Sequence, residues 1–109
     1  MELASSLDLR QMRRAAGEAT GVLRVLANED RLLLLCRISQ EECCVSDLEE
    51  ALSIHQPTLS QQLGVLRAEG LVQTRREGKR IYYSISDERV LAIMETLYNT
   101  YCRPTRSRT

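Results

Sequence analysis

The sequence predicts a mainly α-helical domain carrying one two-stranded β hairpin, and three stretches predict it. In residues 54–72, IHQPTLSQQLGVLRAEGLV, Leu59, Leu63 and Leu66 recur at helical spacing and seat one side of a helix in a core. Directly after it, in VQTRREGKRIYYSIS, Ile81, Tyr83 and Ile85 alternate with Arg80, Tyr82 and Ser84, the period of two that marks a half-buried strand. Glu77-Gly78 reads as the turn between this strand and the one before it. Further apolar stripes of helical period lie before and after this core region. A polar-faced helix followed by a basic hairpin is the pattern of a winged helix-turn-helix, in which a helix enters the major groove and a wing reaches the flanking phosphates.

Taken in order, residues 9–26 place Met12, Ala15, Ala16, Ala19, Val22, Leu23 and Leu26 at helical spacing, a first helix with more apolar surface than so small a core can use. Asn28 caps a second helix running to about Ser39, in which Leu32 to Leu35 give Cys36 an apolar neighbourhood. Ser46 and Glu49 have the spacing of a capping box for a short third helix, DLEEAL, which leads through Ser53-Ile54 into the reading helix. Pro57 suits only that helix's first turn and Gly70 its left-handed cap, giving three to four turns. After the hairpin, Asp87 caps a last helix with Val90, Met94, Leu97 and Tyr101 on one stripe and Leu91 and Tyr98 beside it. The surplus faces of the first and last helices predict a homodimer through Leu23, Met94, Leu97 and Tyr101. Residues 1–8 read as a flexible N-terminus, 9–102 as one domain, and 103–109, RPTRSRT, as a disordered tail.

The side of the reading helix away from its leucines is polar but uncharged: Thr58, Gln61 and Gln62, with Gln56 and Ser60 beside them. Such groups hydrogen-bond to base edges, and Gln56, Thr58, Ser60 and Gln61 are assigned to base reading. Arg75, Lys79 and Arg80 in the wing, with Arg76 next to them, are assigned to phosphate. The formal net charge is zero, yet residues 67–80 hold five bases against two acids, whereas residues 41–50 hold five acids and no base. Separated charge of this kind orients a molecule on duplex DNA.

With 109 residues the chain forms a single small domain for which a partner subunit is a useful source of buried surface. No run is long and apolar enough for a membrane span, and the start lacks the apolar core of a signal peptide, so the expected compartment is the cytoplasm. Four cysteines there are buried, metal-binding or redox-active rather than a disulfide framework. Their positions, 36, 43, 44 and 102, contain no Cys-x-x-Cys, which argues against a structural zinc knuckle. The one histidine, His55, lies at the start of the reading helix, so a cysteine nucleophile has no base and catalysis is not expected. No cofactor is expected. A winged-helix interaction module that never touches DNA is the rival outside enzymology.

The order of elements, and the stretches LANEDRLLLLCRIS, VSDLEEAL, QPTLSQQLGVLRAEGLV and REGKRIYYSI, resemble the ArsR/SmtB family of bacterial repressors over about Ala19 to Cys102. The resemblance implies a homodimer that binds double-stranded operator DNA and releases it when an inducer occupies a sensing site. Two departures weigh against the family's metal sites. Where arsenic-type members have Cys-x-Cys, this chain reads Cys43-Cys44-Val45-Ser46, and Asp87 to Cys102 contains no histidine for a zinc-type site. Cys36 together with Cys102, and the stretch TLYNTYC, resemble the persulfide-sensing branch, the BigR/SqrR type, in which such a pair joins through a polysulfide bridge and DNA is released. A direct disulfide requires Cα atoms within about 7 Å, and each added sulfur extends the bridge by about 2 Å, so a slightly wider pair favours sulfane-sulfur donors over peroxide. Cys43 and Cys44 follow Glu41-Glu42, which disfavours thiolates, and are read as bystanders. A metal- or metalloid-responsive repressor and a general thiol oxidation sensor remain alternatives.

Overall fold

The computed structural model describes residues 8–102. The flexible N-terminus and disordered tail expected at 1–7 and 103–109 lie outside the described residues. Asp8, expected in the flexible segment, belongs to the domain: its Oδ1 accepts the Gln11 N–H at 2.7 Å and caps the first helix. The elements are α1 (Leu9–Leu26), α2 (Glu29–Gln40), β1 (Cys43–Cys44), α3 (Val45–Leu52), α4 (Thr58–Ala68), β2 (Val72–Glu77), β3 (Arg80–Ile85) and α5 (Glu88–Leu97), which runs on into a π-helical turn (Tyr98–Cys102).

Helix starts follow from side chains that satisfy the first backbone donors. Asn28 Oδ1 accepts from the Arg31 N–H at 3.0 Å, and Asp87 Oδ1 from the Arg89 N–H at 2.8 Å, as their positions predict. The cap of α3 differs. It is Cys44, not Ser46, and the Asp47 carboxylate accepts from both the Cys44 N–H and the Cys44 Sγ–H at 3.2 Å. The cause is β1: Cys43 pairs with Tyr83 and Cys44 with Tyr82, so the chain enters the helix straight from a strand, ahead of the serine.

The expected two-stranded wing is therefore part of a three-stranded antiparallel sheet in the order β1-β3-β2. With β3 in the middle, Ile81 to Ile85 are all half-buried and the strict in-out alternation is lost. The β2–β3 ladder runs from Val72 opposite Ile85 to Glu77 opposite Arg80. Glu77 thus ends a strand, and the turn is Gly78-Lys79 rather than Glu77-Gly78. Gly78, with φ of 64°, takes the first central position, where a two-residue hairpin turn of type II′ requires glycine.

The core gathers Val25 and Leu26 of α1, Leu34, Leu35 and Ile38 of α2, Leu48 of α3, Leu59, Leu63 and Leu66 of α4, and Val90 and Met94 of α5. Helix α2 packs against α1, α3, α4, α5 and β3, whereas residues 9–20 of α1 are exposed along their length. Met94, expected at a dimer surface, is instead buried in this chain's own core, with an exposure of 0%.

The end of α4 fixes how the reading helix joins the wing. Leu71 N–H bonds to the Leu66 carbonyl and Gly70 N–H to the Arg67 carbonyl, each at 3.0 Å, with Gly70 at φ of 79°, the double bond of a Schellman motif. A Cβ added at Gly70 meets nothing within 4 Å, so substitution there tests the backbone alone. Gly70→Ala is expected to cost about 1–2 kcal/mol in urea unfolding, and Gly70→Asn less, because asparagine tolerates the left-handed region. Equal stability of wild type and Gly70→Ala would refute that reading of the helix end.

Candidate nucleic-acid interface and thiol pair

Burial of Leu59, Leu63 and Leu66 turns the opposite side of α4 outward, where Ser60 and Gln61 are exposed. Thr58 is half-buried. Gln56 is exposed, but its Oε1 accepts the Ser60 N–H at 3.1 Å and serves as a cap for α4, leaving its amide nitrogen to point elsewhere. Gln62 belongs to the scaffold: it accepts from Arg31 Nη1 at 3.1 Å, while Arg31 Nε donates to the Val25 carbonyl at 2.7 Å. One arginine thereby ties α1, α2 and α4. Sequence reasoning missed it because its partner lies 31 residues away, with no local pattern to mark the pair. His55 Nδ1 is 3.5 Å from Glu49 Oε2, on the surface at the start of the same helix.

Two of the three wing cations have partners within the protomer. The Arg75 fork grips Glu42, with Nη2–Oε1 at 2.8 Å and Nε–Oε2 at 3.0 Å, and its guanidinium lies 4.8 Å from the centroid of the Tyr82 ring. Glu42's hydrogen bond raises Arg75, and the same contact holds the Glu42 carboxyl below its usual range. Arg80 Nη1 reaches the Cys44 sulfur at 3.9 Å. Lys79 stands at the turn, and neither it nor exposed Arg76 has an ion-pair partner among the described residues. In the free protein the fork of Arg75, assigned to phosphate, is filled by a carboxylate.

All four cysteines are free thiols. Cys36, half-buried on α2, donates its S–H to Met94 Sδ at 4.0 Å, and Cys102 is exposed at the end of the π-helical turn. Burial pushes the Cys36 thiol up, and the charge of Cys102 adds to it. Cys43 and Cys44 are buried in β1. Burial, more than the neighbouring acids, pushes Cys43 up, and its S–H is spent on the Glu41 carbonyl at 3.3 Å. Among the described residues no three His, Cys, Asp or Glu side chains converge as metal ligands, and no helix is long and apolar enough to cross a membrane.

Of the residues assigned to a dimer surface besides Met94, Leu23 is 53% and Tyr101 80% exposed, while Leu97 is half-buried against the core. An apolar groove of about 330 Å³ runs between α1 and α5, lined mainly by Ala15, Ala19, Val22, Leu23 and Ile93.

Residues 28–74 match the family model described as bacterial regulatory protein, arsR family. The biofilm growth-associated repressor of Agrobacterium fabrum is 45% identical over 98 residues, covering 90% of this chain and 84% of that protein. HlyU of Vibrio cholerae, described as a transcriptional activator, superposes in its reduced form with a TM-score of 0.82 at 38% identity, over 87% of this chain and all of the other. The homodimeric winged helix-turn-helix DNA-binding domain of Mb0332 from Mycobacterium bovis gives 0.69 at 30% identity, covering 87% of each chain.

The thiol environments predict an order of reactivity. Because the thiolate is the nucleophile, alkylation of Cys36 followed peptide by peptide is expected to rise with pH through a midpoint above the ordinary thiol value of about 8.5. Cys102→Ser removes the lesser of the two causes, so the midpoint falls but stays raised. A Cys36 midpoint at or below the ordinary value would contradict the described environment.

Proposed function

Since this chain belongs to the arsR family of bacterial regulatory proteins, we propose that it is a homodimeric transcriptional repressor that binds operator DNA through α4 and releases it when Cys36 and Cys102 react with persulfide or related reactive sulfur. The observation that carries the DNA half is the division of α4 into a buried leucine face and an outward face bearing Ser60 and Gln61. Gln56 and Thr58 extend that face at the helix start, and Lys79 and Arg80 serve phosphate from the wing. The direction of control follows the repressor relative, the more similar of the two named regulators. The apolar groove between α1 and α5, with exposed Leu23 and Tyr101, supports a two-fold dimer, in which two copies of α4 would meet successive major grooves about 34 Å apart.

The sensing half rests on the placement of Cys36. It sits on α2, the helix that touches both α4 and α5, and it feels the charge of Cys102. A persulfide R–S–SH attacked at its outer sulfur by a cysteine thiolate leaves RS⁻ and gives Cys–S–SH. When both cysteines carry persulfides, the terminal sulfur of one attacks the inner sulfur of the other and expels HS⁻, leaving a trisulfide bridge. Such a bridge pulls the scaffold helix of the reading element toward the last helix, and a shift away from the half-site spacing lowers affinity.

Two measurements test this. Gln61→Ala is expected to lose about 1–3 kcal/mol on an operator selected from random duplexes and almost nothing on unselected DNA, whereas equal losses on both would remove Gln61 from base reading. For the switch, Cys36→Ser and Cys102→Ser are expected to bind that operator like wild type when reduced and to stay bound after a persulfide donor, while Cys43→Ser and Cys44→Ser respond fully. Release of the Cys102→Ser protein by the donor would defeat the pair. Equal release by peroxide would make the protein a general thiol sensor, and release by zinc or arsenite alone would make it a metal sensor.

A further inference from the structure

The wing carries a second charge on the face that holds Arg75. In the antiparallel register Arg75 stands opposite Tyr82, and Tyr82 opposite Cys44, so these three share one face of the sheet. Glu42, two residues before Cys44, comes to the same face and meets Arg75, whose guanidinium lies over the Tyr82 ring. The carboxylate then takes the guanidinium with two parallel bonds, the geometry with which arginine also takes a phosphate. Arg75 touches Glu77 as well, but at 3.4 Å through the other end of its fork, and through a single bond. Glu42's neighbour in the same acidic run, Glu41, is engaged elsewhere, with Arg37 at 2.9 Å.

We infer that Glu42 is a specificity-determining residue: its carboxylate stands in for a DNA phosphate on Arg75 and so withholds one wing cation from sequence-independent binding. This rests on the DNA-binding reading above. Phosphate contacts raise affinity for every duplex alike, whereas base contacts raise it for one sequence. A wing whose arginine is already filled contributes less to the first kind, and recognition depends more on α4. The chain's zero net charge is consistent with this economy of cations. The pair is half-exposed and lies at the surface, so solvent and phosphate can both reach it.

The test measures binding of the full-length protein to a 30-bp duplex of random sequence against salt concentration. Glu42→Gln keeps the shape of the side chain but drops its charge. It is expected to steepen the salt slope by about 0.9 for each wing on the duplex, which at 0.1 M salt is about an eightfold gain in affinity per wing. Arg75→Gln alone is expected to leave the wild-type slope nearly unchanged, and Glu42→Gln/Arg75→Gln to return the slope to wild type. Glu41→Gln, which removes the same charge from the same run, is expected to give a much smaller change. An unchanged slope in Glu42→Gln would overturn the inference, and so would a gain that persists in the double variant, since the released cation would then not be Arg75. A wild type that binds no duplex even at low salt would overturn the DNA-binding reading itself, and this inference with it.

Discussion

Everything in this domain hangs on the burial of α2. Leu34 and Leu35 are fully enclosed and Ile38 nearly so, and around them gather α1, α3, α4, α5 and the central strand β3. Burying each such side chain contributes about 1.5–3 kcal/mol, so this one helix anchors a large part of the apolar surface a small domain has available. Helix α4 is aimed by that core and not by its own propensity: three leucines fix one face inward, and Arg31, rooted on α2, holds Gln62 and the Val25 carbonyl at its side. The wing rests on the same helix through β3. A thiol on α2 is therefore placed where a small displacement reaches α4, the wing and α5 together.

Electrostatics in the wing follow a similar economy. A chain with zero net charge cannot rely on a broad positive field, and its arginines are divided between duties. Arg75 is stacked over Tyr82 and filled by Glu42, and Arg80 leans on the Cys44 sulfur. Arg89 is spent on Asp87 and Glu18. Lys79, Arg76 and Arg80 are the wing cations with no carboxylate partner among the described residues. On the DNA-binding reading proposed above, base contacts then carry more of the binding, which is a route to selectivity in a small protein.

Much of this was legible in the sequence because it is written locally. The caps at Asn28 and Asp87, the leucine spacing of α4, the glycine stops at Gly70 and Gly78 and the basic hairpin all act within a few residues. The features that escaped are those whose partners are far away or whose signal is too short. Two residues of β1 show no alternation, yet they move the cap of α3 from Ser46 to Cys44 and turn a hairpin into a three-stranded sheet. Arg31 with Gln62 and Arg75 with Glu42 join positions 31 and 33 residues apart. Met94 shows a different limit: a helical stripe says which face is apolar, not whether that face meets its own core or a second copy. Its neighbour across the core is Cys36, so the residue expected at a dimer surface instead touches the thiol of α2.

The central claim is that two thiols, one on the scaffold helix and one at the end of the π-helical turn after α5, act as a single sulfur-sensing unit. Peptide mass spectrometry of the wild-type protein after treatment with a persulfide donor tests it most directly. The account predicts a link between the peptides holding Cys36 and Cys102, heavier than a plain disulfide by about one or two sulfur atoms, with Cys43 and Cys44 still free thiols. Persulfide carried separately on the two cysteines with no link, or a link made through Cys43 or Cys44, would contradict it.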